Sequence, residues 1–129
     1  MEVTKIEKKY RLSRYELVKY QLITDLLFFK KQHISDSDLE LLTWLGLKGP
    51  IDLTHFCNFI VKTTNKEIQP EEFAVKSQNV RNKLSKLEKK GYVVKSETYK
   101  KMIELSPTLA VQRTGNILLD YKFLSVEAS

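Results

Sequence analysis

The side chains of this chain best equipped for chemistry lie between Lys76 and Lys101, KSQNVRNKLSKLEKKGYVVKSETYKK. Nine of them are Lys or Arg and two are Glu, whereas residues 1–75 balance eleven bases against eleven acids and residues 102–129 hold two against three. The net charge of +6 therefore belongs to one segment. A concentrated positive patch draws a phosphate backbone or an acidic protein surface, while a diffuse excess would mainly affect solubility. The polar side chains interleaved with the lysines include Gln78, Arg81, Asn82 and Ser85. These types read base edges and hold phosphates: Arg pairs with guanine, Asn and Gln with adenine, Ser and Lys with the backbone.

Catalytic chemistry finds no comparable kit. Two histidines, His33 and His55, and one cysteine, Cys57, are present. They make no zinc ligand set, no disulfide and no nucleophile with a nearby base, and the chain has no glycine-rich phosphate loop. His55 and Cys57, two apart on an expected helix, point to different faces, and Cys57 is expected as a buried structural thiol. Carboxylates are plentiful but sit in caps and turns, where helix stabilisation accounts for them. The expectation is a protein that is not an enzyme, with no metal and no cofactor.

The elements that position the basic segment follow from periodicity. Val80, Leu84 and Leu87 fall at i, i+4 and i+7, one core-facing stripe of a helix predicted over Ser77–Lys90. At about 100° per residue, Gln78, Asn82, Ser85 and Lys89 lie across from that stripe, with Arg81 and Lys86 on its shoulders. An ordinary solvated face would mix Glu with Lys in i,i+4 pairs, yet Glu88 is the one acid between Lys76 and Lys95. Gly91 should stop the helix in a left-handed cap. A strand at Tyr92-Val93-Val94, a polar turn Lys95-Ser96-Glu97-Thr98 and a second strand Tyr99–Leu105 then predict a hairpin.

Three helices are expected before it. Ser13-Arg14-Tyr15-Glu16 has the form of a capping box and opens a helix to about Lys31, with Leu17, Val18, Leu22, Leu26 and Phe29 on a wide apolar stripe. Ser35-Asp36-Ser37-Asp38 opens a second, carrying Leu39, Leu42 and Leu45 and ending near Gly46 or Gly49-Pro50, with Trp44 in the core. Asp52 caps a third, with Leu53, Phe56, Cys57 and Ile60 inward. Lys62–Gln69 reads as a loop, and Pro70–Phe73 as a short helical turn of its own. Alternation predicts strands at Val3–Leu12 and at Ile117–Leu124, the second apolar on much of both faces and in need of a paired edge.

The run Asn79–Val93, NVRNKLSKLEKKGYV, resembles the winged helix-turn-helix superfamily, whose recognition helix ends in L-x-x-L-E-x-x-G and leads into a β wing. The resemblance covers roughly residues 50–106. It implies a recognition helix Ser77–Lys90 and a wing Tyr92–Leu105, the helix in the major groove and the wing on flanking backbone. Carried over, it implies that Gln78, Asn79, Arg81, Asn82 and Ser85 face base edges, with Ser77 beside them, and that Lys76, Lys86, Lys89, Lys95, Lys100 and Lys101 meet phosphates; Tyr99 is expected to pack at the base of the wing, with contact to sugar as the alternative. The run Ile103–Leu109, I-x-L-S-P-x-L, is similar to winged-helix replication and phage proteins and implies a phage or plasmid origin.

The expected fold is α+β, mainly α, in one domain of 129 residues. It has an N-terminal strand and long helix (1–34), a winged-helix core (35–106) and a C-terminal strand extension (107–129). The expected function is binding of double-stranded DNA, as a regulator or a replication accessory. The alternative is a virion assembly protein, such as a connector, collar or ring subunit, meeting copies of itself or other virion proteins through its terminal strands. No membrane partner is expected, since the longest apolar run, Leu26–Phe29, is far short of a span and the first ten residues lack the apolar core of a secretory signal. The expected location is the cytoplasm, or the virion for the assembly reading.

Overall fold

The computed structural model describes residues 13–99, 101–109 and 111. Among them it forms four helices and a small antiparallel sheet. In chain order these are α1 (Arg14–Ile23, continued by a π-helical stretch Thr24–Phe29), α2 (Asp36–Lys48), β1 (Ile51–Asp52), α3 (Leu53–Thr64), α4 (Pro70–Lys89), β2 (Val93–Lys95) and β3 (Met102–Leu105). A 3₁₀ turn, Pro107–Leu109, follows. The expected mainly helical α+β class is observed at this level. The terminal strands expected at Val3–Leu12 and Ile117–Leu124 lie outside the described residues.

Side chains start the first three helices where the sequence places them. The Ser13 hydroxyl accepts from the Glu16 N–H, and the Ser13 N–H donates to Glu16 Oε1, each at 3.1 Å. That backbone hydrogen bond first, and the hydroxyl second, holds the Glu16 carboxyl below its ordinary pKa. Ser35 Oγ accepts from Asp38 N–H and Asp52 Oδ1 from His55 N–H, both at 3.1 Å. Each cap satisfies a first-turn donor that would otherwise lack a partner, a gain of about 1 kcal/mol. Gly49, at φ +69°, ends α2.

The core gathers one stripe from every helix. Val18, Leu22 and Leu26 come from α1 and its extension, Leu39, Leu42 and Leu45 from α2, Phe56, Cys57 and Ile60 from α3, and Leu84 and Leu87 from α4. Each such side chain removed from water contributes roughly 1.5–3 kcal/mol. Trp44 is half-buried between Tyr15 and Phe59, with ring centroids 4.9 and 5.1 Å away.

Three expectations are corrected. The first helix stops at Phe29 instead of Lys31, and its last six residues widen to π geometry before Lys31 takes φ +52°. The loop read at Lys62–Gln69 narrows to residues 65–69, because α3 continues to Thr64, and the separate turn is replaced: Pro70 opens one unbroken helix of 20 residues that runs through Ser77 to Lys89. Phe73 explains the continuity, because it falls two turns before Val80 on the same stripe and is half-buried. Finally, the second hairpin strand starts at Met102, and Tyr99 is 67% exposed instead of packed.

The sheet has the order β1-β3-β2. β3 pairs with β2 through Val93↔Leu105, Val94↔Glu104 and Lys95↔Ile103, and with β1 through Ile51↔Ile103 and Asp52↔Met102. The pairing turns Val93 and Ile103 into the core. Leu53 N–H donates to Lys101 O at 2.8 Å, so the hairpin is fastened to the first turn of α3.

No helix among the described residues is long and apolar enough to cross a membrane.

At Gly46 α2 lies close to both α1 and the sheet. A Cβ built there would lie 2.8 Å from Leu105 Cδ1 and 2.9 Å from Val18 Cγ1. Leu105 can rotate away, but Val18 is buried and stiff at χ1. The Gly46→Ala variant should therefore lose about 1 kcal/mol despite a helix-propensity gain of similar size, and Gly46→Val several times that, read from urea unfolding. A more stable Gly46→Ala would contradict this packing.

Candidate nucleic-acid interface

The rotation of α4 is set by its buried stripe, Leu84 and Leu87, with Val80 half-buried. The opposite flank is open: Gln78, Asn82, Ser85, Lys86 and Lys89 are all exposed. Gln78 Nε2 donates to Asn82 Oδ1 at 3.0 Å, so these two amides form one i,i+4 pair with donors and acceptors to spare. Ser77 is half-buried at the edge of the flank.

At its C-terminal end α4 stops in a Schellman arrangement. Tyr92 N–H donates to Leu87 O at 3.0 Å and Gly91 N–H to Glu88 O at 2.9 Å, with Gly91 at φ +87°. The chain passes directly into β2, which places the hairpin next to the basic end of the helix. Lys95 and Lys101 are exposed on it, and Lys95 Nζ lies 3.8 Å from Glu88 Oε1 on α4. Both side chains of that pair face solvent, so the ion pair is worth a few tenths of a kcal/mol at most. Lys100 lies outside the described residues. Exposed Tyr99 projects from the turn whose tip is held by Ser96 Oγ, which accepts from Thr98 and Tyr99 N–H at 3.2 Å each.

Three of the expected contacts sit elsewhere. Arg81, half-buried, donates through Nη2 to Thr54 Oγ1 at 2.7 Å, which ties α4 to the first turn of α3. Its guanidinium is thus partly committed to the scaffold. Lys76 and Asn79 turn to the other shoulder, where they line a cleft with residues of α2 and α3. The expected contact residues that remain together are Gln78, Asn82, Ser85, Lys86 and Lys89 on α4 with Lys95 and Lys101 on the hairpin. Thr54 was not anticipated, because nothing in the sequence says which flank of α4 meets the start of α3.

Cys57 is buried, and burial pushes its thiol above its ordinary pKa, opposed in part by the Arg81 guanidinium and reinforced by Asp52. A protonated, enclosed thiol is a poor nucleophile. His55, two residues earlier, is exposed. Among the described residues no group of three or more His, Cys, Asp or Glu is placed to hold a metal ion.

Because nothing lies within 4 Å of a Cβ built on Gly91, a substitution there meets only backbone strain. Gly91→Ala should cost about 1–2 kcal/mol in urea unfolding, and Gly91→Asn clearly less, since Asn tolerates the left-handed conformation. Equal costs for the two would mean that the turn into the hairpin is not built this way. No protein-family model, curated protein or solved structure matches the chain.

Proposed function

We propose that this protein is a non-enzymatic duplex-DNA-binding module of the winged helix-turn-helix kind, serving as a regulator or as a phage or plasmid replication accessory. In this reading α3 and α4 are the helix pair, α4 is the recognition helix and β2–β3 is the wing. The observation that carries it is the open flank of α4: amides and a hydroxyl at Gln78, Asn82 and Ser85, flanked by exposed Lys86 and Lys89, with exposed Lys95 and Lys101 beside them on the hairpin. Two further features support it. Only residues 65–69 separate α3 from α4, a short helix–helix connection. The pairing of β1 with β3 also fixes the hairpin to the same end of α3 that Arg81 reaches.

The lysines would supply affinity and the amides sequence preference. Four phosphate contacts predict a slope of about −3 to −4 for log K against log salt. Fluorescence anisotropy of a labelled duplex across a salt series measures it. The double variant Lys86→Glu/Lys89→Glu should weaken binding at least tenfold and flatten the slope by about two, while Asn82→Ala should change the ranking of duplex sequences more than the mean affinity. Binding no stronger than that of an unrelated neutral domain, or unaffected by the double charge reversal, would remove the proposal.

A further inference from the structure

The two α4 residues that leave the open flank, Lys76 and Asn79, enter a different site. With Val80 and Lys83 they form one wall of a cleft of about 350 Å³, whose other walls are Ser37, Glu40 and Leu41 of α2 and the C-terminal half of α3. Its floor is apolar: Leu41, Ile60 and Val61 are buried and Val80 is half-buried. An apolar floor with a few polar groups converging on it, at this volume, is the make-up of small-molecule sites.

The charges on the walls select the ligand. Glu40 and Lys76 are both half-buried and stand on opposite walls, yet neither forms an ion pair with the other or with any other described residue. Glu40 also faces Tyr15 of α1, whose hydroxyl is held above its ordinary pKa by burial first and by the Glu40 carboxylate second. Lys83 adds a second cation to the walls: its ammonium donates one N–H to Ser37 Oγ at 2.7 Å, which links α4 to α2, and keeps its charge and two further N–H groups. Asn65 is tied down, with Nδ2 donating to Val61 O at 3.2 Å and to Thr64 Oγ1 at 2.8 Å. The groups left to meet a ligand are two cations, Lys76 and Lys83, one anion, Glu40, and the amide of Asn79, beside apolar Leu41, Ile60, Val61 and Val80.

We propose that this cleft binds a small zwitterion with an apolar body, an α-amino acid of about the size of leucine. Its carboxylate pairs with Lys76 and Asn79, its ammonium with Glu40, and its side chain covers Leu41, Ile60, Val61 and Val80. A simple carboxylate would satisfy Lys76 and leave Glu40 as it is; a simple amine would do the reverse. The site stands apart from the DNA-directed flank, so it stands or falls independently of the function proposed above.

The test is an NMR titration of the full chain with three probes of one shape: L-leucine, 4-methylpentanoate, which lacks the ammonium, and 3-methylbutylamine, which lacks the carboxylate. Leucine should produce saturable shifts in the side-chain amides of Asn65 and Asn79 with a dissociation constant of about 1 mM or tighter. Each single-charge analogue should bind about tenfold more weakly. Glu40→Gln should bring leucine down to the affinity of 4-methylpentanoate, and Lys76→Met, which keeps the aliphatic stem, should bring it down to that of the amine. The amide dispersion of each variant reports whether it is folded. Absence of saturable shifts with leucine, or 4-methylpentanoate binding as tightly as leucine to the unaltered chain, overturns the proposal.

Discussion

The rotational setting of α4 is the constraint on which the rest depends. Leu84 and Leu87 enter the core shared with Phe56 and Ile60 of α3, and removing either leucine would cost about 2–5 kcal/mol. That burial fixes which residues look outward. A helix advances about 100° per residue, so a slip of one position would bury Ser85 or Lys86 and expose a leucine. The core, not the polar side chains, thus decides that Gln78, Asn82 and Lys89 share a flank and that Lys76 and Asn79 belong to another.

The hairpin inherits its place from the same helix. Tyr92 and Gly91 donate back to Leu87 and Glu88, so the direction in which the chain leaves α4 is determined at its last buried turn. A two-stranded hairpin alone is marginal in water, and this one is reinforced on its other edge by two residues. β1 is short, but it lies immediately before α3, and the Ile51↔Ile103 pair with the Leu53–Lys101 hydrogen bond joins the hairpin to the start of that helix. The close approach of Leu105 to Gly46 fastens it to α2 as well. α4 and the hairpin therefore form one rigid surface, although their exposed side chains touch mainly through Lys95 and Glu88.

Local side-chain chemistry was legible in the sequence wherever it decides the structure. Ser13 with Glu16, Ser35, Asp52 and Gly91 mark helix ends because each satisfies or turns a specific backbone group. The start of α4 was not legible in the same way. Its first two turns expose Glu71, Glu72, Ala74 and Val75, and Phe73 alone carries the buried stripe back to Pro70. A single apolar residue two turns ahead of Val80 is a weak period, so proline and the acids read as a separate turn. The π-helical end of α1 leaves no periodic trace, and neither does the two-residue β1, which is defined by its pairing with β3. The commitments of Arg81 and Lys83 depend on which helix flanks which, and no spacing within α4 contains that.

Part of the charge on α4 has a purely local cause. Glu71 and Glu72 stand in its first turn and Lys86 and Lys89 in its last, the order that complements the helix dipole, each worth a few tenths of a kcal/mol. The dipole does not account for Lys95 and Lys101, which lie beyond the helix, nor for an outward flank of amides and a hydroxyl where i,i+4 ion pairs would be the stabilising choice. Lys95 has one distant carboxylate, Glu88, and Lys86 and Lys89 have no ion-pair partner among the described residues. Holding like charges together on one rigid face costs stability or at best leaves it unchanged. A polyanion lying across α4 and the hairpin would offset that cost. The two shoulders are thus asymmetric: Lys86 and Lys89 on the open flank have no ion-pair partner among the described residues, whereas Lys83 and Arg81 hold α4 to α2 and α3 through Ser37 and Thr54.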